Sequence, residues 1–390
     1  MQKTLRRVAA AACLLPALAF ADLPAEPIPN VLKLETPYPG TYAVVHDFAF
    51  GSLIDSSFGL VDVTDRSFKG MLSAGQFATI SHSVPRQRFY VGETVHSRGT
   101  RGERQDLITV YDFENLDLVA EIELPQRRAN IVVNQALTAI TSDDRFLLVF
   151  NMNPATSVSV VDLESNEFVG EIATPGCALV YPDSVGGFLQ LCGNGTLASI
   201  ALDENGGQAS RQVSAVFNDI DNDPISEKAS RIGDTWHFFT YGGAVQPVDV
   251  SGAEPKILDR WWLASEKDRE SNWRPAGWHG NAGHASGNLW VGMTPDGYNG
   301  SHKDPAPEIW LFDSATGKRK ARFELETPAL SIAATHHEKP YLLVVNIAGQ
   351  LDVYDGLSGK FQHSINELGE TPYMVHPIGA GIGASSGGRP

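Results

Sequence analysis

Apolar and polar positions alternate along this chain in short runs that end on an aspartate and a polar turn. Glu308-Ile309-Trp310-Leu311-Phe312-Asp313 passes through Ser314-Ala315-Thr316-Gly317-Lys318 into the alternating run Arg319 to Leu325. This pattern predicts two antiparallel strands joined by a tight turn. The unit recurs. Ile108 to Asp112 leads to Glu121-Ile122-Glu123-Leu124, Val158 to Asp162 leads to Glu171-Ile172-Ala173, Leu351 to Asp355 leads to Gly356 to Lys360, and Gly59 to Asp62 comes round to Lys69-Gly70. Weaker copies run from Leu197 to Ala201 and from Val245 to Asp249. The anchors at 62, 112, 162, about 201, 249, 313 and 355 are spaced by roughly 50 residues with one long interval. Short strands at that period, without an amphipathic helix, predict an all-β fold, a seven-bladed β-propeller of four-stranded antiparallel blades. Phe146 to Phe150 and Tyr341 to Val345 supply the other strands of their blades. Ring closure is expected to join the two termini in one blade, with Val31 to Thr36 as the N-terminal strand. The repeat aspartates are expected to cap their turns.

The first residues change the picture. Met1 to Arg7 is basic, Val8 to Phe20 is apolar but too short to span a membrane, and Ala19-Phe20-Ala21 offers a small-x-small site, which together predict a signal peptide at 1–21. The expected organisation is therefore signal peptide 1–21, propeller 22–378 and a flexible Gly/Ser-rich tail 379–390, in a periplasmic protein. Cleavage leaves 390 − 21 = 369 residues and, by removing Lys3, Arg6 and Arg7, moves the formal charge from −16 to about −19. So acidic a chain repels nucleic acid and anionic lipid, and neither nucleic acid nor membrane is an expected partner. Of the two cysteines left, Cys177 and Cys192 fall on neighbouring strands and are expected to form one structural disulfide in an oxidising compartment. The absence of Cys-x-x-Cys-His excludes covalent c-type haem.

Candidate chemistry is sparse. Histidines 46, 82, 96, 237, 279, 284, 302, 336 and 337 show no ligand spacing, so no metal site is expected. Gly383-Ala384-Ser385-Ser386-Gly387 and the Gly-rich run from Pro377 to Gly381 lie at the tail, outside the strand-turn-helix setting of a nucleophile elbow or phosphate loop. No catalytic residue is expected in this chain. A propeller hydrolase of the lactonase type would need a metal or acid/base cluster that these residues do not assemble. Three segments stand out instead. Val95 to Asp106 carries Arg98, Arg101 and Arg104 on an otherwise acidic chain, which suits a docking loop. Asp47-Phe48-Ala49-Phe50 is more aromatic than a strand connection requires. The long interval holds Trp261, Trp262, Trp273, Trp278 and Trp290, where an insertion on one propeller face would build a binding site.

Together Arg101-Gly102-Glu103-Arg104-Gln105-Asp106, the Cys177/Cys192 pair framing Tyr181-Pro182, Trp273-Arg274-Pro275-Ala276-Gly277-Trp278 with His284, and His302-Lys303-Asp304-Pro305 resemble the heavy (β) subunit of quinoprotein amine dehydrogenases, the methylamine and aromatic amine dehydrogenases. The resemblance covers nearly the whole mature chain. It implies a periplasmic propeller that binds a small disulfide-rich light subunit carrying tryptophan tryptophylquinone, with electrons passing to a cupredoxin or cytochrome c. It further implies an α2β2 heterotetramer, although the N-terminal arm here is shorter than the one that helps join subunits in methylamine dehydrogenase. Neither quinone nor catalytic base would lie on this chain. By the same resemblance an aromatic lines the mouth of the substrate channel, with Phe50 the first choice and Phe48 the second, and Arg98, Arg101, Arg104, Trp273 and Trp278 would contact the partner. The competing expectation is a stand-alone exported β-propeller binding module without catalytic activity.

Overall fold

The computed structural model describes residues 33–379. The expected signal peptide, the arm up to residue 32 and the tail from residue 380 lie outside the described residues. The fold is an all-β propeller of four-stranded antiparallel blades. Five separate sheets are present, ordered outward from the innermost strand. Pro372–Ile378, Tyr42–Asp47, Asp55–Asp62 and Ser67–Gly75 form one; Thr79–Ser83, Arg88–His96, Arg104–Asp112 and Leu118–Leu124 the next. Thr138–Ile140 to Glu167–Ala173, Cys177–Pro182 to Gln208–Val213, and Ile225–Ile232 to Lys256–Ile257 follow. A sixth, eight-stranded sheet runs through the 16-residue strand Arg319–Ala334, whose first half pairs with Ala306–Asp313 and whose second half pairs with Tyr341–Asn346.

Burial explains the order. Phe146–Asn151 and Ser157–Asp162 are buried at every position because both faces of each middle strand pack on neighbouring blades, whereas the outermost Gln208–Val213 is exposed throughout. Innermost strands touch one another around the axis: Pro372–Ile378 meets Arg319–Ala334, which meets Asn281–Gly283, which meets Ile225–Ile232. The repeat aspartates end third strands and act as expected. Asp62 accepts from Thr64 N at 3.0 Å, Asp162 from Glu164 N at 2.8 Å, Asp313 from Thr316 N at 3.0 Å and Asp355 from Ser358 N at 2.8 Å.

Closure differs from the sequence expectation. The N-terminal strand of the closing blade is Tyr42–Asp47, paired with Pro372–Ile378 from Tyr42↔Ile378 to Asp47↔Pro372, and residues 33–36 form no strand. Tyr42–Asp47 is buried at every position and can be covered on both sides, whereas Leu34, Glu35 and Thr36 lie on an irregular segment before the cis peptide Thr36-Pro37. Pro377 and Ile378 therefore belong to a core strand and not to the tail. The long interval between Asp249 and Asp313 is also less of an insertion than its length suggests. It contains the outer strands of one blade, the short helix Glu266–Glu270 and the inner strands Asn281–Gly283 and Asn288–Thr294 of the next. Cys177 and Cys192 are bonded, as expected, as directly opposed residues of the first and second strands of their blade.

Candidate functional site: an aromatic mouth on one face of the ring

Alternating strand direction sorts every connection onto one of two faces. Turns from first to second and from third to fourth strand share one face, which carries the repeat aspartates. Loops from second to third strand, and the links between blades, share the other. Phe48 and Phe50 lie in a second-to-third loop, Tyr373 at the start of the innermost strand of the same blade, and Trp278 in the link entering Asn281–Gly283, so all four fall on this second face.

They also meet. Ring centroids lie 5.3 Å apart for Phe48 and Phe50, 5.0 Å for Phe48 and Tyr373, 5.3 Å for Phe50 and Tyr373, and 6.0 Å for Trp278 and Tyr373. The loop is held by Asp47, whose buried carboxylate accepts from the backbone N–H groups of Ala49 (3.1 Å), Glu370 (2.8 Å) and Thr371 (2.7 Å). Phe50 N donates to Thr371 Oγ1 at 2.8 Å. Phe48 is buried at 2% exposure and packs with Val133 and Met374, whereas Phe50 is only half-buried against the same cluster.

Beside this cluster lies a residue the sequence did not single out. Lys228, on the innermost strand Ile225–Ile232, is 4% exposed, with its Nζ 3.9 Å above the Trp278 ring and 3.6 Å from Glu227 Oε1. Burial pulls its pKa down, against the opposing pull of Glu227. His302 stacks on Tyr241 at 3.7 Å on the same face, and burial lowers its pKa.

The other expected contact residues separate. Arg98 and Arg101 sit at the exposed tip of the hairpin between Arg88–His96 and Arg104–Asp112, and neither forms an ion pair among the described residues. Arg104 turns inward: its guanidinium donates to Asp106 at 2.9 and 2.8 Å and to Arg128 O at 2.9 Å. Asp106 is fully buried and accepts from Arg128 N as well, so Arg104 completes a buried charge network. Trp273 packs on Trp310 at 5.1 Å under the Arg322 guanidinium at 4.6 Å, inside its blade and away from the mouth. Trp290 is fully buried and donates to Gly356 O at 2.7 Å, a core residue.

Exposed apolar side chains favour the mouth face. Ile54, Ile131, Val132, Met152, Tyr298 and Ile347 all lie on its loops, while the aspartate face exposes Val185 and Leu357. A concavity of about 640 Å³ is an open depression on the outer rim between Val169 and Arg211, remote from these groups. Among the described residues, no three His, Cys, Asp or Glu side chains converge to hold a metal ion, and no helix is long and apolar enough to cross a membrane.

Comparison with known proteins adds three findings. The family model described as methylamine dehydrogenase heavy chain matches residues 42–378, the span from the first to the last strand of the closing blade. A methylamine dehydrogenase heavy chain from Methylophilus methylotrophus is 27% identical over 320 residues, covering 81% of this chain and 78% of that one, and one from Paracoccus versutus is 28% identical over 353 residues, covering 88% and 80%. Among solved structures, a putative 6-phosphogluconolactonase from Bacteroides uniformis superposes with a TM-score of 0.59 at 11% identity, covering 86% of this chain and 98% of that one, a likeness of fold alone.

Proposed function

Because the chain belongs to the methylamine dehydrogenase heavy chain family, we propose that it is the large, non-quinone subunit of a periplasmic amine dehydrogenase that converts primary amines to aldehyde and ammonia. Its ring is read as seven blades, the eight-stranded sheet being two blades run together through Arg319–Ala334. The observation that carries the functional reading is the coincidence, on one face, of the aromatic mouth and the exposed apolar loops. A small disulfide-rich light subunit seated there would cover Ile54, Ile131 and Met152, with Arg98 and Arg101 at the rim of the contact. Tryptophan tryptophylquinone on that subunit supplies a two-electron acceptor, from which electrons leave to a cupredoxin or cytochrome c.

This chain's own residues fit a supporting part. Phe50 narrows the opening, Phe48 and Tyr373 fix its position, and the apolar rings exclude water from what lies beneath. Lys228 already occupies one face of Trp278, which leaves Phe50 and Tyr373 as the rings an incoming amine would meet. Purification of the chain from its native periplasm tests the reading, with absorption spectra recorded before and after adding a primary amine. Co-purification of a small Cys-rich chain and amine-dependent bleaching of a visible band are expected. A colourless protein isolated alone would instead mark a stand-alone binding module. The mass of the complex checks the α2β2 assembly.

A further inference from the structure

Charge is unevenly distributed around the aromatic mouth. At its Trp278 end stands a cation, the buried Lys228 ammonium 3.9 Å above the Trp278 ring. At its Phe50 end stand two carboxylates. Asp47 is buried and accepts from the backbone N–H groups of Ala49, Glu370 and Thr371. Glu370 is exposed, and its Oε1 occupies the space that a side chain on Gly51, the residue after Phe50, would fill. No lysine, arginine or histidine pairs with either carboxylate among the described residues.

The backbone ties Glu370 to the loop that carries the rings. Glu370 N donates to Asp47 Oδ2 at 2.8 Å, Thr371 Oγ1 accepts from Phe50 N at 2.8 Å, and Phe48 N donates to Thr371 O at 3.2 Å. A primary amine has a basicity like that of the lysine side chain and is an ammonium in neutral solution. Such a cation is held best where a carboxylate and the face of an aromatic ring lie within its reach. The half-buried rings of Phe50 and Tyr373, with centroids 5.3 Å apart, meet that need. Trp278 is the poorer ring, because Lys228 already lies over it and repels a second cation.

We propose that Glu370, with the rings of Phe50 and Tyr373, binds the ammonium group of the incoming amine, an inference that rests on the amine-oxidising reading and narrows its substrate class. Amines without a carboxylate are admitted, whereas the carboxylate of an amino acid would meet Asp47 and Glu370 and be repelled. Glu370 makes no covalent bond and takes no proton in this role. It raises the concentration of the cation at the entrance.

The test uses the two-subunit complex in steady-state oxidation of propylamine at low and at high salt. In Glu370→Gln, KM at low salt is expected to rise roughly fivefold, the scale of one exposed ion contact, while kcat holds. High salt screens the native contact, so the two KM values converge there. Glu370→Asp, which keeps the charge, keeps the salt response. A side chain that only supported the fold would instead shift the thermal midpoint and leave the salt response in place. Native KM and native salt response in Glu370→Gln, in a complex that oxidises propylamine, would overturn the inference. Saturation-transfer NMR of tetramethylammonium, which has no N–H to react, puts the same question to the chain alone. A signal that Glu370→Gln weakens supports the ammonium site, and equal signals overturn it. A native complex that oxidises no primary amine would overturn the amine reading, and the NMR comparison then decides the ammonium site by itself.

Discussion

On the aspartate face a turn is closed by residues two or three positions apart, as in Asp355 to Ser358; on the aromatic face Asp47 and Phe50 are held by Glu370 and Thr371, more than 300 positions away. Local closure makes seven similar turns from similar sequences. Distant closure lets each loop differ, and the loops that differ carry the exposed apolar groups and the aromatic mouth. The same ring is thus repetitive where it is built and particular where it would bind.

The widest departure from that division is a set of histidines, His82 and His376 on innermost strands and His336 in the turn after Arg319–Ala334, which should respond most to acid. His376 and His336 are lowered by burial to about 4 and His82 to about 3, from an ordinary value of 6.5. The unfolded chain binds more protons between these values, so their stabilising contribution is complete above about pH 6.5 and is lost as pH falls through the folded values. One ring displaced by that much corresponds to on the order of 3 kcal/mol. Thermal unfolding followed from pH 7 to pH 4 should show a steep fall below pH 6.5; a flat profile would mean the rings are not buried neutral.

Within the mouth, Phe48→Ala should destabilise the protein by about 3–5 kcal/mol through loss of a packed core ring, read as a shift in denaturant midpoint. Phe50→Ala should cost much less and instead alter the ratio of kcat/KM for short and bulky amines. Equal effects of the two substitutions on stability would erase the distinction between support and lining. The disulfide, which closes a separation of 15 residues, should stabilise by about 3 kcal/mol in the loop-closure account, so replacing Cys177 and Cys192 by Ser lowers the melting midpoint while light-subunit binding persists. Smallest of all, Asp355→Ala should cost about 1 kcal/mol, because its turn is exposed and its lost partners can bond to water.

These contrasts also explain what could be read from the chain alone. Strand-Asp-turn units and the Cys177–Cys192 pair are contiguous patterns or neighbouring strands, and each appears where expected. Tyr373 could not be placed beside Phe50, because only ring closure brings them together and the closing strand is Tyr42–Asp47, while residues 33–36 form no strand. Arg104 looks like its neighbours Arg98 and Arg101, yet it lies on a strand facing buried Asp106 while they occupy the turn. Trp273 and Trp278 share one motif but are split between a blade interior and the mouth. Lys228 carries no local signal, since its burial is created by Trp278 from another blade.

Hydrogen exchange of the chain alone and bound to whatever small Cys-rich chain co-purifies with it locates the face that the partner covers. Protection confined to residues 48–54, 97–103, 131–133 and 152–156 would place the partner on the aromatic face as the account requires. Protection at the turns after Asp62, Asp112, Asp162 and Asp355, with the mouth loops unchanged, would contradict it.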